Sequence, residues 1–133
     1  MFQHCIWLLP EKNSNLYNLT KGFSPHISLY THLSLSEAKQ KMKTIQKKSL
    51  FVTILQKNEI DQQSGFYSYY HFVNDDIMFP QEPHISFIYD NKNIETEQTK
   101  LIYDLIDFSK QYLFDTYEIV CCQDQDFTKW YSI

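Results

Sequence analysis

Glycine is scarce in this chain, which contains only Gly22 and Gly65. Loops that cradle phosphates with backbone amides need closely spaced glycines, as in the patterns GxGxxG and GxxxxGK[ST]. Neither pattern occurs in the sequence. The sequence therefore argues against an ATP-driven or dinucleotide-dependent enzyme, and it predicts no cofactor.

Cysteine is limited to Cys5 and the adjacent pair Cys121 and Cys122. An odd count without metal-type spacing predicts reduced thiols in an intracellular protein. The sequence has neither a basic leader nor an apolar run of transmembrane length, so we expect a cytoplasmic protein with no membrane partner. Heavy use of Asn, Lys, Ile and Tyr is typical of AT-rich genomes, such as viral ones. A viral protein of this kind would act in the host cytoplasm.

The size and charge of the chain restrict its partners. With 133 residues, 43% of them hydrophobic and 17% aromatic, the chain has enough apolar surface for one folded domain over residues 1–133. The formal net charge of −4 argues against broad binding to duplex nucleic acid. A small nucleotide or a short strand end remains compatible with that charge, and we expect a monomer.

The hydrophobic pattern predicts an α+β fold with several hairpins. A turn is expected at 58–65, a loop at 74–83, and a short helix within 11–21 that includes Leu16 and Leu19. The longer helices are predicted at 36–48 and at 95–114, the second with Leu101, Leu105, Ile106 and Phe108 facing inward. Strands are predicted at residues 3–9, 26–30, 50–55, 66–73, 84–89, 117–122 and 127–133.

A short string occurs twice in the chain. The sequence reads Pro-His-Ile-Ser at 25–28 and again at 83–86, a separation of 58 residues, and each copy precedes a predicted helix. Side chains alternate between the two faces of a strand, so His26 shares a face with Ser28, and His84 with Ser86. If the two halves form similar lobes, these polar faces line one cleft between them.

Two histidines in one cleft suit phosphodiester cleavage. The reaction needs a base that takes a proton from the attacking oxygen and an acid that gives one to the leaving oxygen. Imidazole titrates near neutrality, so a neutral and a protonated ring coexist at working pH. The hydroxyls of Ser28 and Ser86 can donate to the non-bridging phosphate oxygens, and no step requires a metal.

The motifs resemble the hallmark of the 2H phosphoesterase superfamily, two H-x-[ST] motifs on facing strands. The chain is most similar to its eukaryotic cyclic phosphodiesterase-like branch. Further similarities are Trp7 and Pro10 in the first strand, the Phe23-Ser24-Pro25 lead-in, the string from Pro83 to Tyr89, the aromatic strand that precedes it, and Trp130 near the C-terminus.

The resemblance implies a bilobal fold of two pseudo-symmetric antiparallel-sheet lobes with outer helices, a central cleft and metal-free hydrolysis. The substrate would be a nucleotide with a cyclic phosphate, a 2′-5′ oligonucleotide or a short RNA end. His26 and His84 would be the catalytic pair, Ser28 and Ser86 the phosphate binders, and Tyr89 a substrate contact. Strict alternation puts Tyr89 on the face opposite His84, so it reaches the cleft only if the strand bends or ends there. Asp90 replaces a glycine common in that branch.

Other interpretations remain open. One of Tyr67, Tyr69 and Tyr70 is expected to face the cleft and stack a base, and Tyr69 is our choice. A zinc site that adds His4, His32 or His71 to the pair lacks HExxH or CxxC spacing, so we predict no metal. The alternatives to an enzyme are a catalytically silent nucleotide- or RNA-end-binding module on the same fold, and an interaction protein whose motifs are accidental.

Overall fold

The computed structural model describes residues 3–63, 66–74, 82–124 and 126–133. Within these ranges the chain is mixed α+β, as the sequence predicts. Short 3₁₀ turns lie at Asn15–Asn18 and Phe127–Lys129. The main elements are β1 (Gln3–Pro10), β2 (Ile27–Leu33), α1 (Leu35–Thr44), β3 (Leu50–Gln63), β4 (Phe66–Val73), β5 (His84–Asp90), α2 (Thr96–Leu105), β6 (Gln111–Cys122) and β7 (Tyr131–Ser132).

The strands form one seven-stranded antiparallel sheet in the order β1-β2-β5-β4-β3-β6-β7. A further pairing joins β6 to β1, so six strands close into a circuit and β7 adds to β6 from outside. The element order repeats, with β1-β2-α1-β3 followed by β4-β5-α2-β6. The last strand of each repeat pairs with the first strand of the other. This order establishes a single sheet with two helices, and it does not by itself divide the chain into two lobes.

Helix α1 begins at a capping box. The Ser34 hydroxyl accepts a hydrogen bond from the Glu37 amide at 3.1 Å, and the Glu37 carboxylate accepts one from the Ser34 amide at 3.0 Å. This reciprocal pair satisfies two amides that the first helical turn leaves unpaired. Ala38 of this helix is buried, and Met42 and Ile45 pack against the same core. The helix ends at Thr44, before the predicted boundary at 48.

The longest predicted helix, at 95–114, is wrong in its second half. Helix α2 ends at Leu105, and a turn follows in which the Asp107 carboxylate accepts hydrogen bonds from the amide and hydroxyl of Ser109. Such a side-chain-to-backbone bond competes with helix continuation. Strand β6 then begins at residue 111 and pairs with β3. Leu101 and Leu105 are exposed, contrary to the prediction, whereas the expected inward packing holds beyond the helix end, at Ile106 and Phe108.

The turn predicted at 58–65 is also wrong over its described part. Strand β3 continues to residue 63, and residues 58–63 pair with β4 in unbroken register. This stretch is polar because it lies at the surface, and the backbone pairing holds it extended regardless of side-chain polarity. Strands β3 and β4 pair antiparallel, in agreement with the hairpins that the sequence predicts. The predicted loop at 74–83 falls mostly outside the described residues. The strand predicted at 127–133 is reduced to β7 after a 3₁₀ turn.

Strand β1 is buried on both faces, which explains its unbroken apolar sequence. Ile6 and Leu8 point into the main core with Ile27, Ile85 and other residues of the sheet. The alternate side chains of β1, which are Cys5, Trp7 and Leu9, form a second cluster with Val120 and Cys122 of β6. Neither helix in the described ranges is long and apolar enough to cross a bilayer.

Candidate active site

The two repeated motifs meet at one cavity of about 260 Å³. Its lining includes His26 and Ser28 from the first motif and His84 and Ser86 from the second, together with Tyr89. Five of the six side chains selected from the sequence therefore come together, although 63 positions separate the first from the last.

A single backbone pairing brings the motifs together. Ile27 in β2 pairs with Ile85 in β5, and these two residues hold equivalent places in the two motifs. In an antiparallel pair, the residue before one partner lies across from the residue after the other. His26 therefore comes opposite Ser86, and His84 opposite Ser28. The polar faces of both motifs point the same way because the isoleucines between them point into the core.

A β-bulge in β5 resolves the position of Tyr89. The register of β5 with β4 passes from Ser86, opposite Tyr70, to Ile88, opposite Tyr69, and leaves Phe87 as an extra residue. An extra residue shifts the alternation of the strand by one. Tyr89 thus lies on the same face as His84, because the bulge supplies the irregularity that strict alternation lacks.

Strand β2 carries the equivalent bulge. Its register with β1 passes from Ser28, opposite Trp7, to Tyr30, opposite Ile6, and leaves Leu29 as the extra residue. Thr31, the equivalent of Tyr89, then lines the cavity as well. The repeat is thus a structural one that includes an irregularity. Its sequence signal is the pair of consecutive large apolar residues after each His-x-Ser, where strict alternation would place a polar one.

His26 is held rigidly and is almost completely buried. Its ring stacks on the Trp7 ring with centroids 3.5 Å apart and planes 6° from parallel. Its Nδ1 lies 2.7 Å from the Ser24 carbonyl, which can only accept, so Nδ1 carries the proton. The neutral ring then presents an Nε2 lone pair toward Tyr89. Burial, with a smaller contribution from the neighbouring His84, lowers the pKa of His26 to about 3. A neutral ring with a free lone pair is suited to the role of base.

His84 repeats this arrangement in a more exposed and more acidic setting. Its Nδ1 lies 3.2 Å from the Glu82 carbonyl, again two residues earlier in the chain. Its ring packs against Tyr70, with centroids 4.3 Å apart. Burial lowers the pKa of His84, while the carboxylates of Glu82, Glu59 and Asp61 oppose that shift. Three nearby negative charges favour the protonated ring, so His84 is the better proton holder of the two.

Tyr89 bridges the two halves of the cavity. Its hydroxyl lies 3.5 Å from Nε2 of His26 and makes a side-chain hydrogen bond with Ser86. Burial raises the pKa of Tyr89, so the hydroxyl keeps its proton and is available as a donor. The ring is enclosed by aromatic side chains, with Phe23 4.3 Å, Phe66 5.2 Å and Trp130 5.7 Å away between centroids. These contacts fix the hydroxyl beside Nε2 of His26.

Tyr69 does not face the cavity, and our choice among the three tyrosines is wrong. It is 2% exposed, on the core face of β4, where its hydroxyl lies 2.6 Å from Nε2 of His71. The other ring nitrogen of His71 lies 2.8 Å from the Leu55 carbonyl, so this buried histidine is fully bonded and structural. Tyr70, one residue later and therefore on the opposite face, lines the cavity instead.

Several lining residues were not selected from the sequence as site residues. The sequence predicts a turn at Asp61, whereas the structure places it in β3. Ser68 lies directly across from it in β4, on the same face as Tyr70. A serine between tyrosines in an aromatic strand is the signal that marks this polar face. The remaining members missed by the sequence analysis are Cys5, Trp7, Thr31, His32, Phe66, Cys122 and Trp130.

The thiols and the other histidines of the described residues do not form a second cluster suited to acid–base or metal chemistry. Cys122 and Cys5 hydrogen-bond to each other, and this bond, with burial, raises the pKa of Cys122, which opposes a nucleophilic thiolate. His32 lies at the exposed rim with a positive φ of 61°. His4 is buried on β1. Over the described residues, no three His, Cys, Asp or Glu side chains are grouped to hold a metal ion.

Comparison of the chain with protein-family models, with curated proteins and with solved structures gave no match. The cavity presents a neutral imidazole, a second imidazole beside carboxylates, and hydroxyls between them. Such a set can move one proton onto a ligand and another off it while hydroxyl donors hold an anionic centre.

Proposed function

We propose that this protein is a metal-independent phosphodiesterase. It hydrolyses a 2′,3′-cyclic phosphate or a 2′-5′ phosphodiester of a nucleotide or short RNA. The observation that carries the proposal is the convergence of two imidazoles on one cavity, each with its Nδ1 directed to a backbone carbonyl and its Nε2 left for the ligand. The repeat of β-β-α-β units supports the bilobal fold of the 2H phosphoesterases as part of this proposal. We further propose that the protein acts in the cytoplasm.

The environments of the two rings assign their roles. His26 is the base, because its burial against Trp7 keeps it neutral. It takes the proton from the attacking oxygen, whether water or a neighbouring ribose hydroxyl. His84 is the acid, because carboxylates beside it favour its proton. It gives that proton to the leaving ribose oxygen as the phosphorus–oxygen bond breaks. Each transfer contributes roughly 10²–10⁴ in rate.

The hydroxyls supply the remaining stabilisation. Ser28 and Ser86 lie across from His84 and His26, so each can donate to a non-bridging oxygen of a phosphate placed between the rings. Tyr89 donates beside Ser86, and it reaches Nε2 of His26 when the ligand is absent. Negative charge grows on the non-bridging oxygens in the transition state, and donors already aimed at them lower its energy.

A product screen tests the proposal. The panel comprises 2′,3′-cyclic nucleotides, ADP-ribose cyclic phosphate, 2′-5′ oligoadenylates and cyclic dinucleotides, each with and without a chelator. We expect turnover in the chelator, a loss of roughly 10²-fold or more in His26→Ala and in His84→Ala, and smaller losses in Ser28→Ala and Ser86→Ala. Circular dichroism checks that the variants fold.

The matched control is His32→Asn, which removes a histidine from the exposed rim of the same cavity. Its positive φ is one that asparagine tolerates, and it should retain turnover. Ligand binding without product at high enzyme concentration would indicate a silent binding module instead. Strict dependence on added metal would contradict the scheme.

A further inference from the structure

Among the described residues that line the cavity, none is a lysine or an arginine, and Asp61 is the one Asp or Glu side chain. The chain contains no arginine, and none of the residues outside the described ranges is a lysine. A phosphate bound here therefore meets hydroxyls and imidazoles, and no ammonium or guanidinium group of the described lining.

Lys57 contacts two residues next to His84, and its charge is already balanced. Its ammonium lies 3.3 Å from the Glu82 carboxylate and 4.3 Å from the ring centre of Phe72. Phe72 in turn contacts His84 with ring centroids 6.2 Å apart. The lysine thus offsets one carboxylate outside the cavity and does not supply a phosphate-binding cation inside it.

One side of the site is negative. Glu59 and Asp61 of β3 lie across from Tyr70 and Ser68 of β4, both of which line the cavity. With Glu82 they form what we call the acidic wall, and all three act on His84 in the same direction. The Glu59 carboxylate also accepts a hydrogen bond from the Tyr70 hydroxyl at 2.8 Å, which holds it at this side. The pKa of His26 is instead lowered by burial and by the neighbouring His84.

The proposed role of His84 as the acid determines which part of the substrate lies against the acidic wall. If His84 protonates the leaving ribose oxygen, the nucleoside that carries this oxygen lies on the His84 side. Its ribose hydroxyls and base N–H groups are donors that carboxylates accept. A further phosphate on that nucleoside would approach the Glu59 and Asp61 carboxylates, and neither a lysine nor an arginine is among the described residues that line the cavity, so the approach is unfavourable. The wall thus tolerates a neutral nucleoside and repels a phosphorylated one.

We propose that the cleft selects a phosphodiester with a single negative charge whose leaving nucleoside bears no further phosphate. This inference rests on the proposed function and narrows its substrate class. A nucleoside 2′,3′-cyclic phosphate without a 5′-phosphate fits the site, as does a 2′-5′ dinucleoside whose leaving nucleoside carries no further phosphate, whereas a 5′-phosphorylated 2′,3′-cyclic phosphate does not. The hydrolysed product becomes a monoester with a second ionisation near pH 6, so it gains charge and leaves readily.

The test compares two substrates that differ by one phosphate. They are adenosine 2′,3′-cyclic phosphate and the same compound with a 5′-phosphate. We expect kcat/KM to be at least tenfold higher for the unphosphorylated compound. Asp61→Asn should reduce that ratio severalfold. Asp104→Asn, which removes the same charge from the exposed side of α2, should leave the ratio as it is. Added salt should improve only the phosphorylated substrate, because ions screen the repulsion.

The outcomes separate the two proposals. Turnover of both substrates with equal kcat/KM would overturn the charge selection and leave the phosphodiesterase function standing. An equal change of the ratio in Asp61→Asn and Asp104→Asn would also overturn it, because the effect would then come from net charge. Failure to cleave either compound, or any other member of the screening panel, would overturn the proposed function and this inference with it.

Discussion

Lowering the pH should destabilise the folded protein through His26. The ring is 3% exposed and stacked on Trp7, and its burial lowers its pKa to about 3. In the unfolded chain the same ring has an ordinary pKa of about 6.5. Between pH 3 and pH 6.5 the ring is therefore protonated in the unfolded chain and neutral in the folded protein. Stability is therefore unaffected above about pH 6.5 and falls as the pH decreases from there toward 3.

The size of the effect follows from the difference between the two pKa values. One pH unit within the window corresponds to about 1.4 kcal/mol. Lowering the pH from 7 to 5 crosses about 1.5 units of the window, so His26 alone should remove about 2 kcal/mol from the free energy of unfolding. That is a large part of the 5–15 kcal/mol typical of small domains. The near-complete burial of the ring means that solvent screening does not reduce this figure much.

The assay is urea unfolding at pH 7 and at pH 5 for the wild type and His26→Asn. Asparagine keeps an N–H donor for the Ser24 carbonyl but cannot titrate. We expect the variant to lose about 2 kcal/mol less than the wild type between the two pH values. His32→Asn is the matched control, because solvent reaches that ring in both states. Equal losses in the wild type and His26→Asn would refute the reasoning, as would an NMR titration in which the His26 ring protonates above pH 5.

Two further predictions follow from the site. The pH profile of kcat/KM should be bell-shaped with its maximum below pH 6.5, because burial lowers the pKa of both His26 and His84. Glu59→Gln should move the alkaline limb of that profile to lower pH, since the Glu59 carboxylate favours the protonated form of His84. An unmoved limb would show that Glu59 does not act on His84. Tyr69→Phe should cost about 1–3 kcal/mol of stability because it leaves Nε2 of His71 buried without its donor, while turnover stays near the wild-type value. Tyr70→Ala should instead reduce turnover with a smaller loss of stability. Denaturation and kinetic assays of both variants check these expectations. A loss of turnover in Tyr69→Phe and of stability alone in Tyr70→Ala would contradict them.

The assignment of elements succeeded where one physical cause dominates. Strand β4 and the start of β1 were predicted correctly because apolar and aromatic runs of that length favour buried strands. The helix expected to reach residue 114 failed because a local turn at Asp107 ends it and the pairing of β6 with β3 outweighs helical periodicity. The polar part of β3 was missed for the same reason, since hydrogen bonds to β4 hold it extended.

The sequence by itself determined the chemical groups and their local roles. The repeated Pro-His-Ile-Ser fixed which imidazoles and hydroxyls share a face, because side-chain alternation is a property of any single strand. Two consecutive apolar residues after each motif are the sequence signal of the β-bulges in β2 and β5.

Only the tertiary structure decided which groups meet and how they differ. The pairing of Ile27 with Ile85 brings the motifs to one cavity, the bulges turn Tyr89 and Thr31 inward, and one step along β4 separates the cavity residue Tyr70 from the core residue Tyr69. The two motifs are nearly identical in sequence, yet Trp7 buries one histidine and carboxylates surround the other. Burial and charge come from residues distant in the chain, and no local pattern encodes them.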